Sequence, residues 1–371
     1  MESIDSLRWK KQSQFHVIGV MSGTSLDGVD LVSVTFQKRN KWHFKIHCTQ
    51  TQPFSKNWHR TLGSLTGLTA SELTQIDKEF TQLLAGMIVE FIKTNRLTAI
   101  DAICSHGHTA LHQPDQGITY QIGNRSELAT LIGCPVVCDF RKQDVVLGGQ
   151  GAPLVPVGDR LLFSEYDACL NLGGFANVTR NRDSSFIAFD VGGFNLVFNR
   201  LARLLSVPYD DQGCVARSGN VIPSLFTNLE QLPYYDLEEP KSLGLEWLEK
   251  EVFPMIDSAL ATGEAVADVM HTYAHHIASQ LSRSLMGSTK ILCTGGGAFN
   301  RYTLQLVEDK VKQRLYLPSE EIINFKESVV FGFLGILRLL EQPNCFSSIT
   351  GAKHDHSSGV LHFPQNTRIY F

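Results

Sequence analysis

Nowhere in the chain do the roughly 18 apolar residues of a membrane-spanning helix run together. The most apolar stretch, "SVVFGFLGILRLL" (328–340), is too short for that and reads as a buried helix. The opening "MESIDSLRWKKQSQ" is polar and mixed in charge, with no apolar core of the signal-peptide kind, so a cytoplasmic location is expected. Charge of one sign is also lacking. A formal net charge of −4 and a sequence pI of about 6.4 announce no polyanion-binding surface. Neither a nucleic-acid nor a membrane partner is expected, and the short N-terminal segment leaves no room for a helical DNA-binding domain. Among eight cysteines only Cys134 and Cys138 stand close, around "PVV", a spacing that suits a strand better than a metal site. Reduced thiols are the expected state. The GxxxxGK[ST] loop is missing, and the GxGxxG fingerprint is not cleanly present.

What is present begins with 371 residues, 43% hydrophobic and 19% charged, enough for two lobes of roughly 150–200 residues. An apolar strand over 15–21 enters the turn "MSGTSLDG" and a second strand over 29–36 leaves it. The hydroxyls of Ser22, Thr24 and Ser25 and the backbone at Gly23 and Gly28 suit an anion. "KWHFKIHC" (41–48) alternates like a half-buried strand, with His43 and His47 facing solvent. Thr69 and Glu72 fit a capping box ahead of a long amphipathic helix. Short strands follow at 99–104, 118–122 and 135–140, with a helix near 125–132. Near 165 the pattern restarts: "DACLNLGGFANVTRN" (167–181) is again strand, glycine turn, strand, and "SFIAFDVGGFN" (185–195) adds another strand. A helix over about 266–286 precedes the strand, triple glycine and helix of "KILCTGGGAFN" (290–300), and a closing helix is expected over 327–341. The expectation is an α/β chain of two lobes facing each other across a cleft, divided as 1–160 and 161–371.

One glycine turn is weak evidence, because a tight bend needs glycine too. The set is more specific. Two glycine-hydroxyl hairpins can grip phosphates from either side, while "TGGGAFN" lets an adenosine lie against backbone. The sequence resembles the anhydro-N-acetylmuramic acid kinases, of the acetate/sugar kinase, heat-shock ATPase and actin superfamily. The resemblance rests on "GVMSGTSLDGVD" (19–30), "HGHT" (106–109), "DFRKQDVVLGGQGAPLVP" (139–156), "NLGGFANVT" (171–179), "FDVGGFN" (189–195), "TGGGAFN" (294–300) and "TGA" (350–352), in order along nearly the whole chain. It implies an actin-like or hexokinase-like (ribonuclease H-like) fold and a homodimer. The implied reaction uses ATP and Mg2+ to phosphorylate the 6-oxygen of 1,6-anhydro-N-acetylmuramic acid while water opens the anhydro ring, in cell-wall sugar recycling. The nearest alternatives are another sugar kinase of this fold and an ATP-switched protein of the actin or chaperone kind. The motifs "DFRKQD" and "GGQGAPLVP" argue against the latter.

The resemblance places ATP at Gly23, Thr24, Ser25, Leu26, Asp27, Gly28, Val29 and Asp30, at Gly173, Gly174 and Asn177, and at Gly295, Gly296, Gly297 and Asn300. Asp27 is expected to orient magnesium through water, since magnesium keeps several waters. Asp190, at a strand end beside glycines, suits a base for water; an Asp there also caps turns, and the resemblance assigns it the catalytic role. Arg141 has the planar fork for a sugar carboxylate, with a salt bridge as the alternative. Glu327 is expected at the start of the closing helix and near the sugar, and His106 is expected to face the sugar. His106, His108 and His112 are read as a glycine-broken loop and not as a metal cluster. The sequence departs from the family pattern at Val191 and Phe194 ("DVGGFN" for "DTGPGN"), His108 (for Gln), Phe299 (for His) and Leu245 (for Arg).

Overall fold

The computed structural model describes residues 9–23, 26–182 and 185–365. The chain divides into two compact units, one of residues 1–162 with 325–371 and the other of residues 163–324.

The first unit is built on a seven-stranded sheet. β1 (Gln14–Ser22), β2 (Gly28–Lys38) and β3 (Trp42–Pro53) form an antiparallel meander. β4 (Ala102–Gln113) joins β1 in parallel and carries β5 (Ile118–Ile122) on its far half. β6 (Val136–Cys138) joins β4 in parallel, and the last strand, β12 (Val360–His362), pairs with β6. Along β1 both faces are buried, so the sheet needs cover on two sides. Ile18 and Val20 face the long helix α1 (Ala70–Thr94), whose Phe80, Leu84, Ile88 and Phe91 form one core with them. Thr69 and Glu72 close the capping box expected of them.

The opposite face receives helix α7 (Glu320–Leu339) at close range. A Cβ on Gly19 of β1 would lie 1.9 Å from the Ser328 carbonyl oxygen, and one on Gly335 of the helix would lie 2.2 Å from Cys104 Sγ. Glycines here are a packing requirement, because they let helix backbone approach strand backbone. Phe333 fills the remaining space against Phe36 and Trp42.

The second unit repeats the plan. β7 (Ala168–Leu172), β8 (Phe175–Arg182) and β9 (Ser185–Gly193) form an antiparallel meander. β10 (Ile291–Thr294) joins β7 in parallel and β11 (Leu315–Tyr316) joins β10. The order β11-β10-β7-β8-β9 matches β6-β4-β1-β2-β3 strand for strand. The two glycine hairpins therefore occupy equivalent positions, as the restart near 165 leads one to expect. Helices α4 (Asn195–Leu204) and α5 (Val266–Ser284) supply Val197, Phe198, Leu201, Tyr273 and Ile277 to this unit's core.

Three expectations need correction. The second lobe does not run to residue 371: from Phe325 onward the chain belongs to the first unit, because α7 lies on β1 and β4 and β12 extends the first sheet. The closing helix starts at Glu320 instead of 327, with Glu320 and Glu321 in its first turn. His106, His108 and His112 do not sit in a loop; all three lie on β4, which passes Gly107 at φ 74° and is irregular against β1 and β5.

The close helix–strand approach predicts a contrast between two substitutions measured by urea unfolding. Gly19→Ala must push α7 away and should destabilise by about 1–3 kcal/mol. Gly86→Ala, where a Cβ meets nothing within 4 Å on exposed helix, should stabilise by about 0.5–1 kcal/mol.

Candidate active site

In the second unit, β8 and β9 create the setting of Asp190. Asn177 pairs with Asp190 and Ala176 with Gly192, so Val191 is an extra residue on β9, a bulge that re-aims the strand end. Val191 is buried, and so is Phe194; both departures from the family pattern are core residues, and Phe194 packs on Phe198. The backbone of Asp190 is held on both sides. Its N–H donates to the Lys241 carbonyl at 3.0 Å, and its carbonyl accepts from the Tyr234 hydroxyl at 2.6 Å. Tyr273 likewise donates to the Gly193 carbonyl at 2.8 Å. Lys241 donates to the carbonyls of Tyr234, Tyr235 and Leu237, fixing the segment that carries Tyr234. The half-buried Asp190 carboxylate accepts one backbone hydrogen bond, from Leu243 N–H at 2.9 Å. Burial pushes its pKa up to about 6, and that single hydrogen bond offsets only part of the effect.

The glycine loop after β10 belongs to the same neighbourhood. Gly295 adopts φ 82°, and a Cβ there would meet Asn171 Oδ1 and the Leu172 carbonyl at 2.8 Å. Gly297 is required by Phe194, whose ring a Cβ would strike at 2.4 Å. Gly296 is exposed and open, a Cβ meeting only Asn195 Nδ2 at 3.7 Å. Asn195 ties this region to the second hairpin: its N–H donates to the Gly173 carbonyl and its Nδ2 to the Leu172 carbonyl. Gly173, Gly174, Asn177, Asp190 and Gly295–Gly297 are thus gathered at one end of the second sheet. Asn300 is committed otherwise. Its Oδ1 accepts from Thr303 N–H at 3.1 Å and caps helix α6 (Arg301–Val311).

In the first unit, the turn between β1 and β2 carries Gly23, Leu26 (φ 61°) and Asp27, and β2 opens with Gly28, Val29 and Asp30; Thr24 and Ser25 lie outside the described residues. Val29 is buried core, and a Cβ on Gly28 would lie 2.3 Å from the Gln52 carbonyl oxygen. Ser22 Oγ and His108 Nδ1 are 2.9 Å apart, tying the base of the turn to β4; burial holds His108 down at about 4, so the ring is neutral. Asp27 is exposed at the turn, while Asp30 is half-buried and accepts from Thr51 Oγ1 at 2.5 Å. Burial raises the Asp30 pKa, and the Asp27 charge adds to the shift.

His106, Arg141 and Glu327 come together in this unit. His106 Nδ1 lies 2.9 Å from the Gly107 carbonyl, so Nδ1 carries the proton and Nε2 accepts from Arg141 Nε at 2.8 Å. Burial and the Arg141 charge hold His106 well below the usual imidazole range. Arg141 Nη1 donates to the Gly151 carbonyl at 2.8 Å, and Nη2 is used by neither contact. His106 therefore orients Arg141 instead of standing alone. Glu327, half-buried two turns into α7, is raised by desolvation, with Arg141 and Lys326 opposing and Asp30 adding. The resulting patch sets a cation, a neutral imidazole and a carboxyl of elevated pKa side by side, which suits a ligand carrying both an anion and hydroxyls.

The donor sets fit the groups expected of them. Two carboxylates, Asp27 in the turn and Asp30 at the start of β2, one with its pKa raised partly by the other, suit a hydrated magnesium ion. The exposed glycines at 174 and 296 leave backbone approachable by phosphate and base. The sequence did not reveal Tyr234, the Leu243 N–H, or the Ser22–His108 pair. Each acts through a backbone contact or a buried partner that no motif marks.

A profile of the anhydro-N-acetylmuramic acid kinase family matches residues 15–364. Curated kinases of that description are similar throughout: 33% identical in Shewanella putrefaciens (92% of this chain, 96% of that one) and 31% in Acinetobacter baylyi (90% and 96%). The protein from Coxiella burnetii is 32% identical, covering 93% of this chain and 97% of its own. Duplicated sheets with paired glycine hairpins and this likeness define an ATP-dependent sugar kinase of the acetate/sugar kinase, heat-shock ATPase and actin superfamily. Within it, the chain belongs to the anhydro-N-acetylmuramic acid kinase family. Among the described residues, no helix is long and apolar enough to cross a membrane.

The environment of Asp190 predicts a stability effect with a defined sign. Its folded pKa of about 6 lies above the ordinary 3.8, so the ionised form is disfavoured by folding. That cost is fully present above pH 6 and vanishes below about 4. Asp190→Asn, which keeps an acceptor for Leu243 N–H, should be more stable than wild type at pH 7.5, by an amount on the order of 3 kcal/mol at most. The gain should fade as pH falls from 6 to 4 in thermal or urea unfolding.

Proposed function

We propose that this protein transfers the γ-phosphoryl group of ATP to the 6-oxygen of 1,6-anhydro-N-acetylmuramic acid while water opens the anhydro bridge, giving N-acetylmuramic acid 6-phosphate for cell-wall sugar recycling. The observation that carries the reading is Asp190, a half-buried carboxylate with pKa raised to about 6 and backbone locked by Lys241 and Tyr234. A general base works best with a pKa near the operating pH, and this one is both ionised and basic near neutrality.

Asp190 takes the proton from a water attacking the anomeric carbon. The bridging oxygen leaves that carbon and attacks the γ-phosphorus, so the phosphoryl group takes the place of the proton a glycosidase acid would supply. Arg141 offers Nη2 to the lactyl carboxylate, His106 holds the guanidinium in place, and Glu327 approaches the sugar hydroxyls. ATP lies along the turn from Gly23 to Asp30 and along Gly173, Gly174 and Asn177, with adenosine against Gly295–Gly297. Asn300 supports that loop through the cap of α6. Asp27, through water, and Asp30 would hold magnesium, which neutralises phosphate charge when bound. A cytoplasmic homodimer with no nucleic-acid partner completes the reading, on family likeness. Another amino sugar as acceptor is the competing reading; ADP release against a panel of amino sugars with and without the anhydro bridge separates the two.

Three outcomes are expected. Asp190→Asn should retain ATP and sugar binding by calorimetry and lose turnover by about a hundredfold or more. Wild-type kcat/KM should fall about tenfold per pH unit below an inflection near 6. In oxygen-18 water the label should enter the anomeric hydroxyl and not the phosphate. Label in phosphate, or free N-acetylmuramic acid as an intermediate, would contradict the concerted course.

A further inference from the structure

A second cluster of ionisable side chains lies in the first unit and has no part in the reading above. Asp144 sits on the short helix α2 (Lys142–Val146), and Cys345 and His356 face each other across an isolated antiparallel bridge. The bridge is closed by two backbone hydrogen bonds of 3.1 Å, which put both side chains on one side. All three residues are buried, at 0%, 1% and 6% exposure. One ligand atom from each (a carboxylate oxygen, Sγ and an imidazole nitrogen) lies within 4.8 Å of the other two.

The polar bookkeeping at His356 is incomplete. Its Nδ1 lies 3.1 Å from the His354 carbonyl, so that nitrogen carries a proton, and in the neutral ring Nε2 presents a lone pair. Nε2 is buried without a hydrogen-bond partner, yet it stands 3.5 Å from Asp144 Oδ1, another acceptor. Two lone pairs facing each other in a buried site call for a positive centre between them. Asp144 is pre-oriented: Oδ1 accepts from Thr350 Oγ1 and Oδ2 from Gly151 N–H, both at 2.7 Å. Such supporting hydrogen bonds are what fixes a metal-binding carboxylate.

We propose that Asp144, Cys345 and His356 bind a divalent cation of the zinc class. Tetrahedral zinc with oxygen and nitrogen ligands at about 2.0–2.1 Å has ligand–ligand edges of roughly 3.3–3.4 Å, close to the Asp144–His356 separation. Thiolate with imidazole selects zinc, or its surrogate cobalt, over magnesium and calcium, which prefer oxygen alone. The thiol gives up its proton as the metal–sulfur bond forms, one proton leaving per ion bound. Two positive charges enter as one proton leaves, and a dication with one carboxylate and one thiolate is neutral, so the occupied site places no net charge beside Arg141. Through Asp144 the ion would anchor the Gly151 peptide, whose carbonyl also holds Arg141.

The test is metal analysis of the intact protein, followed by cobalt titration after chelation. One cobalt per chain is expected, with a thiolate-to-cobalt charge-transfer band and the visible bands of four- or five-coordinate cobalt. Both features should vanish in Cys345→Ser, weaken at least tenfold in affinity in His356→Gln, and persist unchanged in Cys214→Ser, which removes an exposed thiol. Zinc should raise the melting temperature of wild type and not of Cys345→Ser. Should Cys345→Ser fail to fold, the wild-type charge-transfer band and its weakening in His356→Gln decide the matter. Wild type that binds no cobalt, binds it without a thiolate band, or keeps the band in a folded Cys345→Ser protein would overturn the site.

Discussion

The constraint on which the site depends is the cost of keeping a carboxylate ionised where water has been partly removed. Asp190 has one backbone donor in place of a hydration shell, and its pKa rises accordingly. An unsupported acid in that position would turn towards solvent and recover its ordinary value. The second unit prevents this by over-determining the backbone: a bulge at Val191, the Lys241 carbonyl on one side and the Tyr234 hydroxyl on the other. Stability given up at the site is recovered in the sheet and helices beneath it, a common relation between activity and stability.

The first unit solves a complementary problem. The Arg141 guanidinium and the Glu327 carboxyl lie near each other without forming a closed pair. Arg141 is held instead by neutral His106 and by the Gly151 carbonyl, which leaves one nitrogen uncommitted. Glu327 keeps a raised pKa despite the nearby cations, because burial on α7 outweighs them. Close packing of α7 onto β1 and β4, made possible by Gly19 and Gly335, sets where that carboxyl stands.

The strand–turn–strand units were legible because two-residue alternation and glycine turns are local signals; β1, β2, β7, β8 and the Thr69–Glu72 cap lie where the sequence puts them. The end of the chain was misread because its allegiance is decided by long-range contacts. Nothing local in 325–371 says that it returns to the first sheet. The helix start at Glu320 was missed because the polar first turns of α7 lack the apolar run that marks its later part. The sequence suggests a loop at His106 and His108 because Gly107 interrupts the pattern, whereas β4 absorbs it at positive φ. Asp190, Arg141 and Glu327 are singled out by motif likeness, but the groups around them, Leu243 N–H, Tyr234 and His106 Nε2, are set by three-dimensional contact alone.

Whether burial makes Asp190 a base matched to neutral pH is decided by the titration of its own carboxyl group. Carbon-13 carboxyl resonances of aspartate-labelled protein, with Asp190→Asn to assign the signal, report that ionisation without turnover. A midpoint near 6 is expected for Asp190. A midpoint near the ordinary value of about 4 would contradict it.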